Sequence, residues 1–228
     1  MAPSLPIPTE LKAIYPPIGM NRKSEVFFLG DDTLPPLYTI IISRTRDAAD
    51  SHFVLTIGSD DQGESIGHVA KPSRRDPDET KIAALNLTTD KWTATEMTRH
   101  QLPGTTRFLF EMIVETEWGM RIEKFEWRPA TMGEATSIHP DRLARGFTMV
   151  RLGSNFGSNP KRGEMVAMWS VVDSTDEKRK RPFTFRLRGS GASGRLGPDF
   201  TIIALMSAIK IYSLDEPLMQ AQHSCLVM

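Results

Sequence analysis

Only one cysteine, Cys225, occurs in 228 residues. No intramolecular disulfide can form, so a disulfide-stapled scaffold is excluded and a reducing compartment is expected. Neither sign of charge is in excess: 28 Lys and Arg stand against 28 Asp and Glu. That balance argues against a general polyanion binder and leaves room for a local basic patch. No window reaches the roughly 18 consecutive apolar residues of a membrane span. The opening MAPSLPIPTELKAIYPPIG holds five prolines and lacks the apolar run of about 7–15 residues that a signal peptide needs, while Ala2 excludes myristoylation. Residues 1–20 therefore read as a proline-rich segment outside the folded domain.

Signatures of catalysis and metal binding are equally sparse. His52, His68, His100, His139 and His223 are scattered, without HxxxH or paired-cysteine spacing, so no zinc site is expected. Residues 59–64 collect three carboxylates without the order of a calcium loop and read as a hairpin turn. There is no GxSxG elbow. No catalytic residue is named, no cofactor is expected, and the chain reads as a non-enzyme. Gly189-Ser190-Gly191-Ala192-Ser193-Gly194 does match GxGxxG, but the helix that should follow starts only after Pro198 and no second parallel strand comes after it. A flexible turn is the better reading. Asn86-Leu87-Thr88 matches the glycosylation pattern and reads as coincidence without a secretory signal.

What is present is a soluble globular composition, 39% hydrophobic and 25% charged, at a length that suits one large all-β domain. Short strands are predicted over 25–29, 37–43, 53–57, 65–71, 81–87, 93–98, 107–115, 120–127, 147–152, 164–172 and 183–188. Pro-, Gly-, Asn- and Asp-rich turns separate them. The pair 107–115 and 120–127 reads as a hairpin, with a slip in alternation at Glu123-Lys124 that a bulge would explain. The four tryptophans read as barrel packing. Eleven strands so spaced imply a sandwich or barrel.

Residues 199–212 break the pattern. Asp199 is a reasonable N-cap, and the following Phe-Thr-Ile-Ile-Ala-Leu-Met-Ser-Ala-Ile-Lys-Ile-Tyr is apolar in nearly every direction at 100° per residue, with Lys210 its one charge. Such a helix must be buried on all sides, and a barrel closed around it is the economical solution. Two buried strands are the alternative.

A mainly β chain with a closed antiparallel barrel of about twelve strands around a hydrophobic C-terminal helix resembles the tubby C-terminal-like superfamily. That group includes tubby-like proteins, LURP-one-related proteins and phospholipid scramblases. Phe108-Leu109-Phe110-Glu111-Met112, Lys124-Phe125-Glu126-Trp127-Arg128-Pro129 and the stretch 183–212 resemble fungal members. The resemblance covers about residues 20–214 and implies a barrel domain over 21–214 with membrane-lipid or adaptor roles. Tubby proteins bind phosphoinositides through basic surface residues, a role the resemblance assigns to no position here. Scramblases carry cysteine clusters and a calcium segment that this chain lacks.

Two further features point to membranes. Residues 215–228 read as a flexible tail ending in Cys225-Leu226-Val227-Met228, a CaaX box whose terminal Met signals farnesylation of Cys225. Lys178, Arg179, Lys180 and Arg181 form the densest basic run. It is either a solvated loop or a contact for anionic membrane lipids. With no aromatics interleaved, nucleic acid is not an expected partner. The expectation is a cytoplasmic, non-enzymatic adaptor or lipid-binding protein in reversible peripheral contact with membranes. The alternative is a ligand-binding barrel or enzyme whose site is assembled by folding, which a pocket of about 300 Å3 or more would favour.

Overall fold

The computed structural model describes residues 8–14, 24–30, 35–43, 52–58, 63–70, 78–116, 119–138, 144–153, 163–172 and 183–225, except for the side chains of 13–14, 24–27, 115–116, 172 and 215–225. The chain is mainly β. Its strands are β1 (Glu10–Ile14), β2 (Ser24–Gly30), β3 (Tyr38–Ser43), β4 (His52–Ile57), β5 (Ser65–Val69), β6 (Glu79–Asn86), β7 (Lys91–Leu102), β8 (Thr105–Thr116), β9 (Gly119–Pro129), β10 (Ala144–Leu152), β11 (Glu164–Val172) and β12 (Phe183–Leu187). Each pairs antiparallel with its neighbours in sequence, and β1 pairs with β12 to close a twelve-stranded barrel. Closure leaves no sheet edge to template pairing with another chain.

Eleven of these strands fall where turn chemistry predicts them. The twelfth, β1, lies inside the segment read as outside the domain, so the domain begins before residue 21. Its Leu11 is fully buried, and Glu10, Leu11 and Lys12 pair with Arg186, Phe185 and Thr184. Five residues between prolines carry little strand signal of their own; the ladders on both sides supply it. The Glu10 carboxylate also accepts from Arg186 Nε at 2.7 Å.

A second correction concerns β9. Its register against β8 is unbroken from Phe108↔Trp127 to Thr116↔Gly119, so there is no bulge at Glu123. The side chains alternate strictly: Glu123, Phe125 and Trp127 are buried and Ile122 is 66% exposed. The apparent slip in the sequence is a carboxylate facing inward and an isoleucine facing out. Register shifts do occur elsewhere, at Leu55/Thr56 and Met149/Val150.

Two short helices, α1 (Met132–Thr136) and α2 (Gly189–Ala192), precede the long α3 (Gly197–Cys225). Residues 200–212 of α3 are all buried, and α3 packs against β4, β5, β6, β8, β11 and β12. These residues form helix rather than two strands. The helix starts at Gly197, which places Asp199 in its first turn and not at the cap. There Asp199 Oδ2 accepts from the Thr93 hydroxyl at 2.7 Å. The helical backbone also continues beyond Tyr212, and the Ser213 hydroxyl donates to the Lys210 carbonyl at 2.7 Å.

Residue sizes on the strands match the helix. A Cβ on Gly67 of β5 would lie 3.1 Å from Ile202 Cγ2 and 3.2 Å from Met206 Cγ, so β5 approaches α3 where no side chain intervenes. Elsewhere bulk fills the gap: Phe125 meets Phe200 at 5.1 Å between ring centroids, and Trp127 Nε1 donates to Ser207 Oγ at 2.8 Å. That bond satisfies a buried indole N–H, which would otherwise be costly. Lys210 is 1% exposed, with Nζ 5.4 Å from the Phe53 ring centroid.

Ile203 is fully buried and Leu205 is 2% exposed. Ile203→Asp or Leu205→Asp should abolish cooperative folding, because a carboxylate there must ionise without a partner or stay protonated, at a cost of several kcal/mol. Circular dichroism checks this: an unchanged thermal transition in both variants would contradict it.

Candidate functional site

The sites read from sequence sit largely beyond the described residues. Lys178, Arg179, Lys180 and Arg181 lie outside them, as do Leu226, Val227, Met228 and the side chain of Cys225. What the structure does establish is where the chain leaves and re-enters the barrel around them. Val172 ends β11 opposite Ala144 at the start of β10, and Phe183 begins β12 opposite Val171. The β7–β8 turn and the end of β9 are at the same mouth, since Leu102 pairs with Thr105 and Pro129 with Phe147. The end of the buried stretch of α3 is there too: Tyr212 packs 5.5 Å from Phe183 and 6.0 Å from Trp169, centroid to centroid. The residues bracketing the basic run and the helix leading to Cys225 therefore share one end of the barrel.

The same mouth carries two arginines that sequence reading passed over. Side chains on a strand alternate between faces. On β7 the inward row runs Thr95, Met97, Arg99; on β10 it runs Met149, Phe147, Arg145. Thr95, Met97, Phe147 and Met149 are buried, and the arginines continue each row one step further toward the rim. Beside them opens a cleft of about 590 Å3, walled by Phe108, Phe147, Ile211 and Leu214 as well as Arg99 and Arg145, with no acidic side chain among its described lining residues. Arg99 and Arg145 fall just beyond the predicted ends of their strands, at 98 and before 147. Strands drawn three residues longer would have exposed their inward parity.

At the opposite mouth an inward arginine is held by carboxylates. Arg151, 3% exposed, gives a bidentate pair to Glu123, with Nη2–Oε1 at 2.7 Å and Nε–Oε2 at 3.0 Å. Burial would raise the Glu123 pKa, but the hydrogen bonds and charge of Arg151, joined by Arg121, hold it below the usual carboxylate range. Arg151 also reaches Glu164, whose Oε1 accepts the Ser190 backbone N–H at 2.6 Å and whose Oε2 accepts the Ser190 hydroxyl at 2.9 Å. This explains the GxGxxG motif. Its amide faces a protein carboxylate, and a Cβ on Gly191 would come 2.3 Å from the Val166 carbonyl oxygen. The glycines permit close packing of α2 on β11; the turn is bound to the barrel wall.

Other motifs resolve similarly. His52 and His68 stack with ring centroids 5.9 Å apart, and Trp92 covers His68 at 5.1 Å. Two of the scattered histidines are thus neighbours, and burial, then the nearby His52, lowers the His68 pKa. Trp92 is 48% exposed, so it is not barrel packing as read, whereas Trp127 and Trp169 are fully buried. Asn86 closes a turn, its Oδ1 accepting from the Thr88 and Thr89 amides at 3.0 and 3.1 Å. The described residues contain no group of three or more His, Cys, Asp or Glu placed to hold a metal ion, and no described helix is long and apolar enough to cross a membrane.

No family model, no curated protein and no solved structure matches this chain. The architecture, a closed twelve-stranded antiparallel barrel, thus defines the class to which it is assigned.

One ion pair near the described mouth has a titratable consequence. Glu134 of α1 accepts from Arg128 Nη2 at 2.7 Å and Nη1 at 3.0 Å and completes a capping box with Thr131. The Arg128 hydrogen bonds, with help from the Thr131 amide, hold its carboxyl at about 2, against a usual value of 4.5. A depressed folded-state value stabilises the native state fully above about pH 4.5, and that contribution is lost as pH falls toward about 2. Glu134→Gln should therefore cost about 1 kcal/mol at pH 6 and little near pH 2, as urea unfolding at both pH values would measure. A difference independent of pH would rule out this carboxylate as its source.

Proposed function

We propose that the protein is a non-enzymatic, membrane-associating adaptor or lipid-binding protein of the tubby-like or LURP-one-like type. In this reading its C-terminal helix is the buried centre of the barrel, and a farnesyl group on Cys225 holds it peripherally at cytoplasmic membranes. One observation supports the reading most. Tyr212 packs against Phe183, so the helix that leads to Cys225 and the strand that follows Lys178, Arg179, Lys180 and Arg181 meet at one mouth. A lipid anchor and a basic contact directed to the same side can act on one surface.

Physical magnitudes set the expected behaviour. A single lipid chain comparable to myristoyl gives membrane affinity on the order of 10⁴ M⁻¹, which is reversible. Four basic residues near an anionic leaflet add roughly 1 kcal/mol each, up to about 10³-fold at low salt. Association should be weak alone, stronger with both signals, and sensitive to ionic strength. Anionic membrane lipids are the partners this reading names, and it calls for neither a cofactor nor nucleic acid.

Fractionation of the full chain from a eukaryotic host tests it. Cys225→Ser should leave the protein in the cytosolic fraction. Replacing 178–181 with Gln should reduce the membrane fraction and its salt dependence while the tail is still prenylated by mass spectrometry. Equal membrane fractions for wild type and Cys225→Ser would end this reading. The ligand-binding alternative also has an observation in its favour, the 590 Å3 cleft beside Arg99 and Arg145, which exceeds the threshold set for it.

A further inference from the structure

We propose that His52 and His68 form a surface site for one borderline divalent transition-metal ion, of which Cu2+ should be held most tightly. Each ligates through an imidazole nitrogen, and water or a group from a partner protein completes the shell. This goes beyond the membrane-anchor reading, because it uses neither the tail nor the basic run at 178–181.

Strand register brings the two rings together. In the β4–β5 ladder Phe53 pairs with Val69 and Val54 with His68. Phe53 and Val69 are fully buried, so alternation turns His52 and His68 to the outer face, as diagonal neighbours on adjacent strands. β5 is fixed there, since Gly67, beside His68, lies against Ile202 and Met206 of α3. The ring centroids are 5.9 Å apart, with planes 23° from parallel. An imidazole nitrogen lies about 1.1 Å from its ring centre and takes zinc at about 2.0–2.1 Å. Two rings on one ion, at a tetrahedral or wider angle, therefore have centroids roughly 5 to 6.5 Å apart. The spacing of His52 and His68 falls inside that range.

His68 carries a second feature of a metal ligand. Its Nε2 is 2.9 Å from Ser65 Oγ. In the site Nε2 keeps the proton and donates to that hydroxyl, which leaves the Nδ1 lone pair for the ion. A metal-bound histidine is generally oriented in this way, by a partner on its other ring nitrogen. Burial, then the nearby His52, lowers the His68 pKa, which favours the neutral ring that binds metals. Trp92 covers the His68 ring at 5.1 Å between centroids and walls one side of the site. Two histidines are fewer than the three or four protein ligands of catalytic and structural zinc sites, so coordination stays open and binding is weaker. Imidazole selects copper, nickel and zinc over calcium and magnesium, which take oxygen ligands.

Tryptophan fluorescence of the full chain, titrated with Cu2+, Ca2+ and Mg2+, tests this. Cys225→Ser and His223→Asn are introduced first, because a thiol and an imidazole two residues apart offer a competing chelate. Cu2+ should quench part of the emission with one-to-one stoichiometry at about micromolar concentration, and Ca2+ and Mg2+ should not. The paramagnetic resonance spectrum of the Cu2+ complex should show two coordinated nitrogens. His52→Asn and His68→Asn should each weaken binding at least about tenfold, and Ser65→Ala about tenfold. Trp92→Phe should remove the quenching while the resonance spectrum persists. Variants are to be compared at unchanged thermal transitions. No Cu2+ binding below about 100 µM, a single coordinated nitrogen, equal binding of Ca2+ or Mg2+, full quenching in Trp92→Phe, or parent affinity in folded His52→Asn, His68→Asn or Ser65→Ala would each overturn the proposal. The spectrum and the order of ions on the parent chain decide it even if a variant does not fold. Because no membrane or prenyl group enters the assay, its failure leaves the fractionation result untouched, and the reverse also holds.

Discussion

Every side chain from residue 200 to 212 is buried, and the rest of the molecule accommodates that constraint. A helix without a polar face cannot lie on a sheet with one side in water; it needs protein around its whole circumference. A closed barrel supplies this and removes the sheet edges at the same time. The constraint is felt locally. Gly67 lets β5 come within contact of Ile202 and Met206, while Phe125 and Trp127 reach across the wider gap. Polar groups in the run are tied down, as with Ser207, whose hydroxyl accepts from Trp127 and donates to the Ala204 carbonyl at 2.9 Å.

Filling the middle in this way moves any chemistry to the rims. The inward row of β10 makes the point: Arg145, Phe147, Met149 and Arg151 run from one mouth to the other, apolar in the centre and cationic at both ends. Arg151 meets carboxylates from β9 and β11, and the network extends to α2 through Glu164 and Ser190. At that mouth the cation is tied into the barrel wall. The other gathers the α3 exit, the strands flanking the basic run and an apolar cleft lined by two arginines. A barrel does not by itself say what it does; the difference between its two mouths is what carries a functional reading here.

Much of the fold was legible because it is written in short-range patterns. Turn residues punctuate eleven strands, and thirteen residues that are apolar all round mark a helix without a solvent face. The closing Cys-Leu-Val-Met, from which the proposed farnesylation is read, is likewise a local pattern that needs no fold to be seen. Other features were not legible, for a common reason. β1 is a strand because β2 and β12 pair with it, and its five residues say little alone. Glu123 looks like a slip in alternation until Arg151, 28 residues away, is placed beside it.

The sequence by itself thus determined the β-rich class and the all-round apolar helix, since each depends on residues within one or two turns of chain. Tertiary structure decided that β1 closes the barrel, that Trp92 stacks on His68 at the surface, and that GxGxxG is a packing turn against Glu164. It also decided that Arg99 and Arg145 meet at one cleft. Those outcomes depend on strand register and closure, which bring together residues dozens of positions apart, and no local pattern encodes which of them will face each other.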